Sequence, residues 1–267
     1  MMEEARLFVY TIRMSKKKLI VANWKMNPPS AAEARALFNK IKLTGSKLDS
    51  VETVICPPFP YIGIFAHAGT TRVSLGAQDV FFANSARATG EVSPEMLKDL
   101  GVSYVIVGHS ERRALGETDE LVSKKIKAVL TEGLTPIVCI GEKERDAEGA
   151  YFDVLRFQIV ASLAGISRPQ LRSVVIAYEP LWAIGKSARD AMKPRDICET
   201  SIFIRKVLTD AHDAATARAP AILYGGSVET ENTAAILSEG GVDGLLVGHA
   251  SLDAERFTKM LKAAHAV

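Results

Sequence analysis

The 267 residues predict an α/β protein of one domain, a (β/α)8 barrel. Three observations lead there. Short apolar runs alternate with amphipathic helical stretches along almost the whole chain. The runs are nearly all apolar rather than alternating, as strands of a parallel sheet covered on both faces must be. Eight such units in roughly 250 residues is the size of a closed barrel. The rival arrangement, a doubly wound open sheet, would carry a GxGxxG turn after its first strand, and none follows Trp24.

The strands are expected at 19–24, 53–56, 72–77, 104–107, 135–140, 174–178, 221–224 and 244–247. The first follows Lys16-Lys17-Lys18, a solvated strand entrance. Helices are expected at 30–43, 119–131, 151–164, 196–212, 230–239 and 252–264. Ser30 is placed as a cap before an Ala/Glu-rich run, and Pro194 stands just ahead of a long amphipathic segment. No linker or low-complexity tract divides the chain. Residues 1–13 read as an N-terminal extension, poorly ordered or an added surface strand, ahead of a barrel domain at 14–267.

Composition narrows the function. With 48% apolar residues, 24% charged residues and a net charge of +2, this is a soluble chain with a large core. No basic block interleaved with aromatics favours nucleic acid. No apolar run reaches the ~18 residues that span a bilayer. Glu3 and Glu4 fall where a signal peptide would be basic. Cys56, Cys139 and Cys198 have no ligand spacing, which argues for a reducing compartment and against zinc or disulfides. A cytoplasmic protein without membrane or nucleic-acid partners is expected.

In a barrel of this kind chemistry gathers at the C-terminal ends of the strands. In 173–185 an apolar strand runs into a lone carboxylate, Glu179, followed by Pro180-Leu181-Trp182 and the short loop Ala183-Ile184-Gly185. Burial would raise its pKa and a lid would exclude water, making it a candidate base for a carbon-bound proton. A strand-end acid in a surface ion pair is the alternative. Asn23, Lys25 and Asn27 follow the first strand. Lys25 reads either as a partner for a phosphate or oxyanion, or as a surface lysine. His109 follows the fourth strand where the chain turns towards helix, so backbone N–H groups can face its ring and keep it neutral. A satisfied core histidine is the alternative. Glu111 is a plausible partner for Lys25. Glycine turns after the seventh and eighth strands, Gly225-Gly226-Ser227 and Gly248-His249, offer backbone N–H groups to an anion. No carboxylates or histidines cluster there, so no metal is expected.

Taken together, Ala22-Asn23-Trp24-Lys25-Met26-Asn27, Gly76-Ala77-Gln78, Thr89-Gly90-Glu91, Gly108-His109-Ser110-Glu111-Arg112-Arg113, Cys139-Ile140-Gly141-Glu142, Tyr178-Glu179-Pro180-Leu181-Trp182, Tyr224-Gly225-Gly226-Ser227 and Asp243-Gly244-Leu245-Leu246-Val247-Gly248 resemble the triosephosphate isomerase family, in order and from about Lys16 onward. The resemblance implies a TIM barrel that interconverts dihydroxyacetone phosphate and D-glyceraldehyde 3-phosphate without a cofactor. It implies Glu179 as base, His109 as neutral electrophile and Lys25 as a third catalytic group. Asn23, Lys25, Gly185, Gly225, Gly226, Ser227, Leu246, Gly248 and His249 would contact substrate, supported by Ser110, Glu111 and Tyr224. It further implies a homodimer, with Gln78, Thr89, Gly90 and Glu91 on the loop that meets the partner. Three stretches depart from the family pattern. The lid continues Lys186-Ser187-Ala188-Arg189-Asp190 instead of Thr-Gly-Lys-Thr-Ala. His249 replaces a smaller or different residue. The stretch Arg113-Ala114-Leu115-Gly116-Glu117 is one residue short. An isomerase of a four-carbon sugar phosphate and a non-enzymatic phosphate-binding barrel are the rival readings.

Overall fold

A computed structural model describes residues 17–70, 72–84, 87–185 and 191–267. The expectations for residues 1–13 and for lid residues 186–190 fall outside them. Eight strands, β1 (Lys18–Asn23), β2 (Val51–Cys56), β3 (Val73–Ala77), β4 (Val102–Val107), β5 (Thr135–Ile140), β6 (Val175–Tyr178), β7 (Ala221–Tyr224) and β8 (Gly244–Val247), form a closed barrel in chain order. All pairs are parallel, and β8 returns to β1 with Val247 opposite Ala22. Closure removes the open-sheet alternative.

Eleven helices lie between and after them among the described residues: α1 (Ala31–Gly45), α2 (Phe59–Ile62), α3 (Pro94–Asp99), α4 (Ser110–Ala114), α5 (Asp119–Thr131), α6 (Tyr151–Ser162), α7 (Arg168–Leu171), α8 (Pro194–Ala211), α9 (Ala214–Ala217), α10 (Thr233–Glu239) and α11 (Ala254–His265). None is long and apolar enough to cross a membrane. The Ser30 cap accepts the Glu33 N–H at 3.2 Å. The second unit keeps only a single helical turn, α2, because Pro57, Pro58 and Pro60 crowd its opening.

Side-chain alternation sorts the core into two shells. Leu19, Val21, Ile106, Val175, Ala177 and Leu246 belong to the barrel interior. Ile20, Ala22, Val105, Val107, Ile176 and Val247 pack outward with the helices. The inward series 19, 21 leads to Asn23, the last residue of β1, and 175, 177 leads to Glu179, one residue past β6. The ladder also runs one residue beyond the strands. Glu179 N–H bonds the Ile140 carbonyl at 2.7 Å and Gly225 N–H bonds the Tyr178 carbonyl at 2.8 Å.

Candidate active site

Asn23, at the end of β1, is buried, and its Oδ1 accepts the Lys25 N–H at 3.0 Å. That bond helps to bend the chain at Lys25, whose φ of 52° lies in the left-handed region that side chains rarely occupy. A second restraint comes from Gln78 after β3. Its Nε2 donates to the Lys25 carbonyl at 2.8 Å and to the Cys56 carbonyl at 2.9 Å. Gln78, expected on the partner-facing loop, thus has its side chain beneath the Lys25 turn. The turn projects the ammonium over the barrel mouth, 2.6 Å from Glu111 Oε1, the pairing expected from sequence.

His109 precedes α4, and its Nδ1 accepts the Glu111 N–H at 3.2 Å. With that lone pair occupied, the ring proton belongs on Nε2, which lies 3.1 Å from Glu179 Oε1. The other Glu179 oxygen accepts the Ser110 N–H at 3.3 Å. Both side chains are buried. For Glu179, burial pushes the pKa up, but His109, the Ser110 N–H and the Cys139 thiol hold it below the ordinary value overall. This corrects the expectation of a raised pKa: the carboxylate meets donors, not an apolar wall alone. For His109, burial pushes the pKa down, and the Glu179 carboxylate pulls it above its ordinary value overall. The Glu111 N–H works against a second ring proton.

These groups share a cavity of about 350 Å³. Asn23, Lys25, His109 and Glu179 line one part of it, and Gly185, Gly225, Gly226, Ser227, Leu246, Gly248 and His249 the rest. Ile184, Val228, Glu229 and Ala250 also line it and were not singled out from sequence, though each is within two residues of one that was. A larger hollow of about 650 Å³ opens on the far side of Glu179, but Lys25 and His109 do not face it, so the smaller one holds the chemistry.

The glycine turns divide their work. The Gly225 N–H is spent on Tyr178, so it is not the anion donor the sequence suggested. Its need for glycine is steric, since a Cβ there would stand 2.8 Å from Glu179 Cγ. Among the described residues no acceptor takes the N–H of Gly226 or Gly248. Ser227 Oγ donates to the Ala183 carbonyl at 2.8 Å, joining this turn to the start of the lid. Tyr224 is fully buried beneath Gly226, where a Cβ would come 2.3 Å from its hydroxyl. Thr89, Gly90 and Glu91 form an exposed turn away from the cavity. Among the described residues no group of three or more His, Cys, Asp or Glu could hold a metal ion.

An acid, an imidazole and an ammonium at the mouth of a (β/α)8 barrel, facing glycine turns with open N–H groups, define a barrel enzyme built for a small anionic substrate. The sequence model of the family described as triosephosphate isomerase matches residues 18–264. A triosephosphate isomerase of Alkaliphilus metalliredigens is 42% identical over 245 residues, covering 91% of this chain and 97% of the relative. That of Herpetosiphon aurantiacus is 43% identical over 251 residues, covering 92% and 99%. That of Dictyoglomus thermophilum is 39% identical, covering 93% and 100%. The chain belongs to the triosephosphate isomerase family.

Proposed function

We propose that this chain interconverts dihydroxyacetone phosphate and D-glyceraldehyde 3-phosphate through an enediol(ate), as glycolysis and gluconeogenesis require. The observation that carries the proposal is the convergence of Glu179, His109 and Lys25 on one small cavity. Glu179 takes a proton from one substrate carbon and returns it to the neighbouring one. Its lowered pKa keeps it ionised and ready as a base near neutral pH. The charge that develops on the substrate oxygens meets donors already in place, His109 Nε2–H and the Lys25 ammonium. Substrate entering between His109 and Glu179 replaces their mutual contact with bonds to its own oxygens. The phosphate is held by the Gly226 and Gly248 N–H groups beside Ser227, with Gly185 closing from the lid.

The enzyme is proposed to work in the cytoplasm as a homodimer. Met26, Phe82 and Leu115 follow β1, β3 and β4, within one four-strand arc of the barrel, and are 92%, 39% and 81% exposed. Apolar side chains so exposed on neighbouring loops fit burial against a second copy. Sedimentation tests this, and a monomer at micromolar concentration counts against it.

A coupled assay on glyceraldehyde 3-phosphate tests the activity. Wild type should turn over, and Glu179→Gln should lose about 10³-fold or more in kcat with the fold intact. Near-normal turnover in Glu179→Gln would remove the carboxylate from its role. A four-carbon sugar phosphate assayed beside it should be turned over far more slowly.

A further inference from the structure

His109 faces the mouth only because the chain reverses just before it. In β4, Val105 and Val107 pack outward with the helices while Ile106 packs inward. Simple alternation would send residue 109 outward as well. Gly108 breaks the series with a φ of 69°, a conformation that glycine adopts without steric cost.

Both peptides flanking Gly108 are clamped. Its N–H donates to Glu117 Oε2 at 3.0 Å, and its carbonyl accepts from Arg113 Nε at 2.7 Å. Each clamp has its own anchor. The other oxygen of Glu117 bonds the ammonium of Lys125, which also reaches Asp79 Oδ1 at 2.6 Å. Glu117, Lys125 and Asp79 are all buried. The Arg113 guanidinium holds Asp119 Oδ1 at 2.6 Å, and Ser162 Oγ donates to that same oxygen at 3.1 Å. Neither Glu117 nor Arg113 lines the cavity shared by Lys25 and His109. A buried ion pair is a poor source of net stability, because desolvating both charges offsets their attraction. Holding one reversed glycine in place explains why such groups converge there.

We propose that Glu117 and Arg113 are positioning residues for His109, gripping the two peptides of Gly108 so that the imidazole stays turned into the barrel mouth. This rests on the reading of His109 as the donor to the substrate oxygen. Neither residue touches substrate, so their loss should weaken the reaction more than binding.

The test is steady-state kinetics on Glu117→Ala, Glu117→Gln, Arg113→Lys and His109→Gln, with ¹⁵N resonances of the His109 ring as a structural readout. Glu117→Ala should lower kcat at least about tenfold while KM stays within about twofold, and should move the ring resonances. Glu117→Gln keeps an oxygen for the Gly108 N–H and should recover most of that loss. Arg113→Lys retains the charge but not the Nε contact, and should lower kcat in the same sense. If Glu117→Ala does not fold, Arg113→Lys decides by the same two readouts. Wild-type kcat and ring resonances in the folded variants would overturn the inference, whatever their melting temperatures. Equal losses in Glu117→Ala and Glu117→Gln would also overturn it, because the hydrogen bond would then be irrelevant. An inactive His109→Gln beside fully active Glu117 and Arg113 variants removes this inference alone. An active His109→Gln removes the role of His109 and this inference with it.

Discussion

Replacing Gly225 by alanine adds one methyl group at the most sensitive point of the site. The Gly225 backbone needs no left-handed conformation, so the whole effect is contact. The new Cβ would stand 2.8 Å from Glu179 Cγ and 3.5 Å from both Glu179 Oε1 and Leu246 Cβ. Ordinary carbon contacts begin near 3.5 Å, so Glu179 Cγ must retreat by roughly 0.7 Å. The Glu179 backbone cannot follow, because its N–H is held by the Ile140 carbonyl. The carboxylate therefore swings, and its 3.1 Å and 3.3 Å contacts to His109 and Ser110 lengthen. Overpacking of this kind costs about 1–3 kcal/mol of stability. A base displaced by somewhat under 1 Å should lose roughly 10- to 100-fold in kcat, or about 1.4–2.7 kcal/mol of barrier. KM should change little, since the Gly225 N–H still bonds Tyr178. Steady-state rates in both directions, with thermal melts, measure this. Gly63→Ala is the control, because nothing lies within 4 Å of its added Cβ. A folded Gly225→Ala with kcat within about twofold of wild type would refute the placement of the reacting carboxylate.

Three further outcomes are expected. Lys25→Met should lower kcat by about 10³-fold and raise KM, because the ammonium serves both substrate and the developing charge. The same change should cost at most about 1 kcal/mol in melts, since its partner Glu111 is largely exposed, and a stability loss without a kinetic one would contradict the assignment. In Glu179→Gln the carboxylate that pulls the His109 pKa upward most is gone, and burial, with Lys25, then pushes it down against Glu111 alone, so an NMR titration should show His109 moving to lower pH. Stability follows the same pair. The raised His109 stabilises the fold fully below its unfolded value near 6.5 and loses this as pH rises through the folded value. The lowered Glu179 adds stability above its unfolded value near 4.5, lost as pH falls through the folded value. The gap between wild type and Glu179→Gln should thus be widest between these values and narrow on either side, and a gap independent of pH would show that the pair does not titrate as a unit.

The barrel was legible because its eight strands are apolar on both faces and separated by helical periods, and no GxGxxG turn marks the open-sheet rival. Glu179, His109 and Lys25 were legible as lone polar residues at the ends of apolar runs. Their assembly in one cavity follows from the closed sheet. What could not be read depends on partners distant in sequence. The direction of the Glu179 shift depends on His109 and Ser110, some 70 residues away in sequence. The duty of the Gly225 N–H is set by how far the ladder runs past β6 and β7. Gln78 could be placed after the third strand, but not that its amide would reach back to Lys25. In the sequence the 113–117 stretch showed only as one residue short of the family pattern, yet its two end residues are the ones that hold Gly108.

The inner shell has one more consequence. Leu19 and Val21 fill the barrel and Asn23 serves the mouth, while Val175 and Ala177 fill it and Glu179 serves the mouth. Filling and chemistry therefore share one odd-numbered parity along each of these strands. A strand that slipped by a single position would trade apolar residues for other apolar residues and keep much of its packing, while turning its reactive side chain away into the helices. Turnover is thus a stricter witness to correct assembly than compactness is, and a misassembled ring would fall silent well before it fell apart.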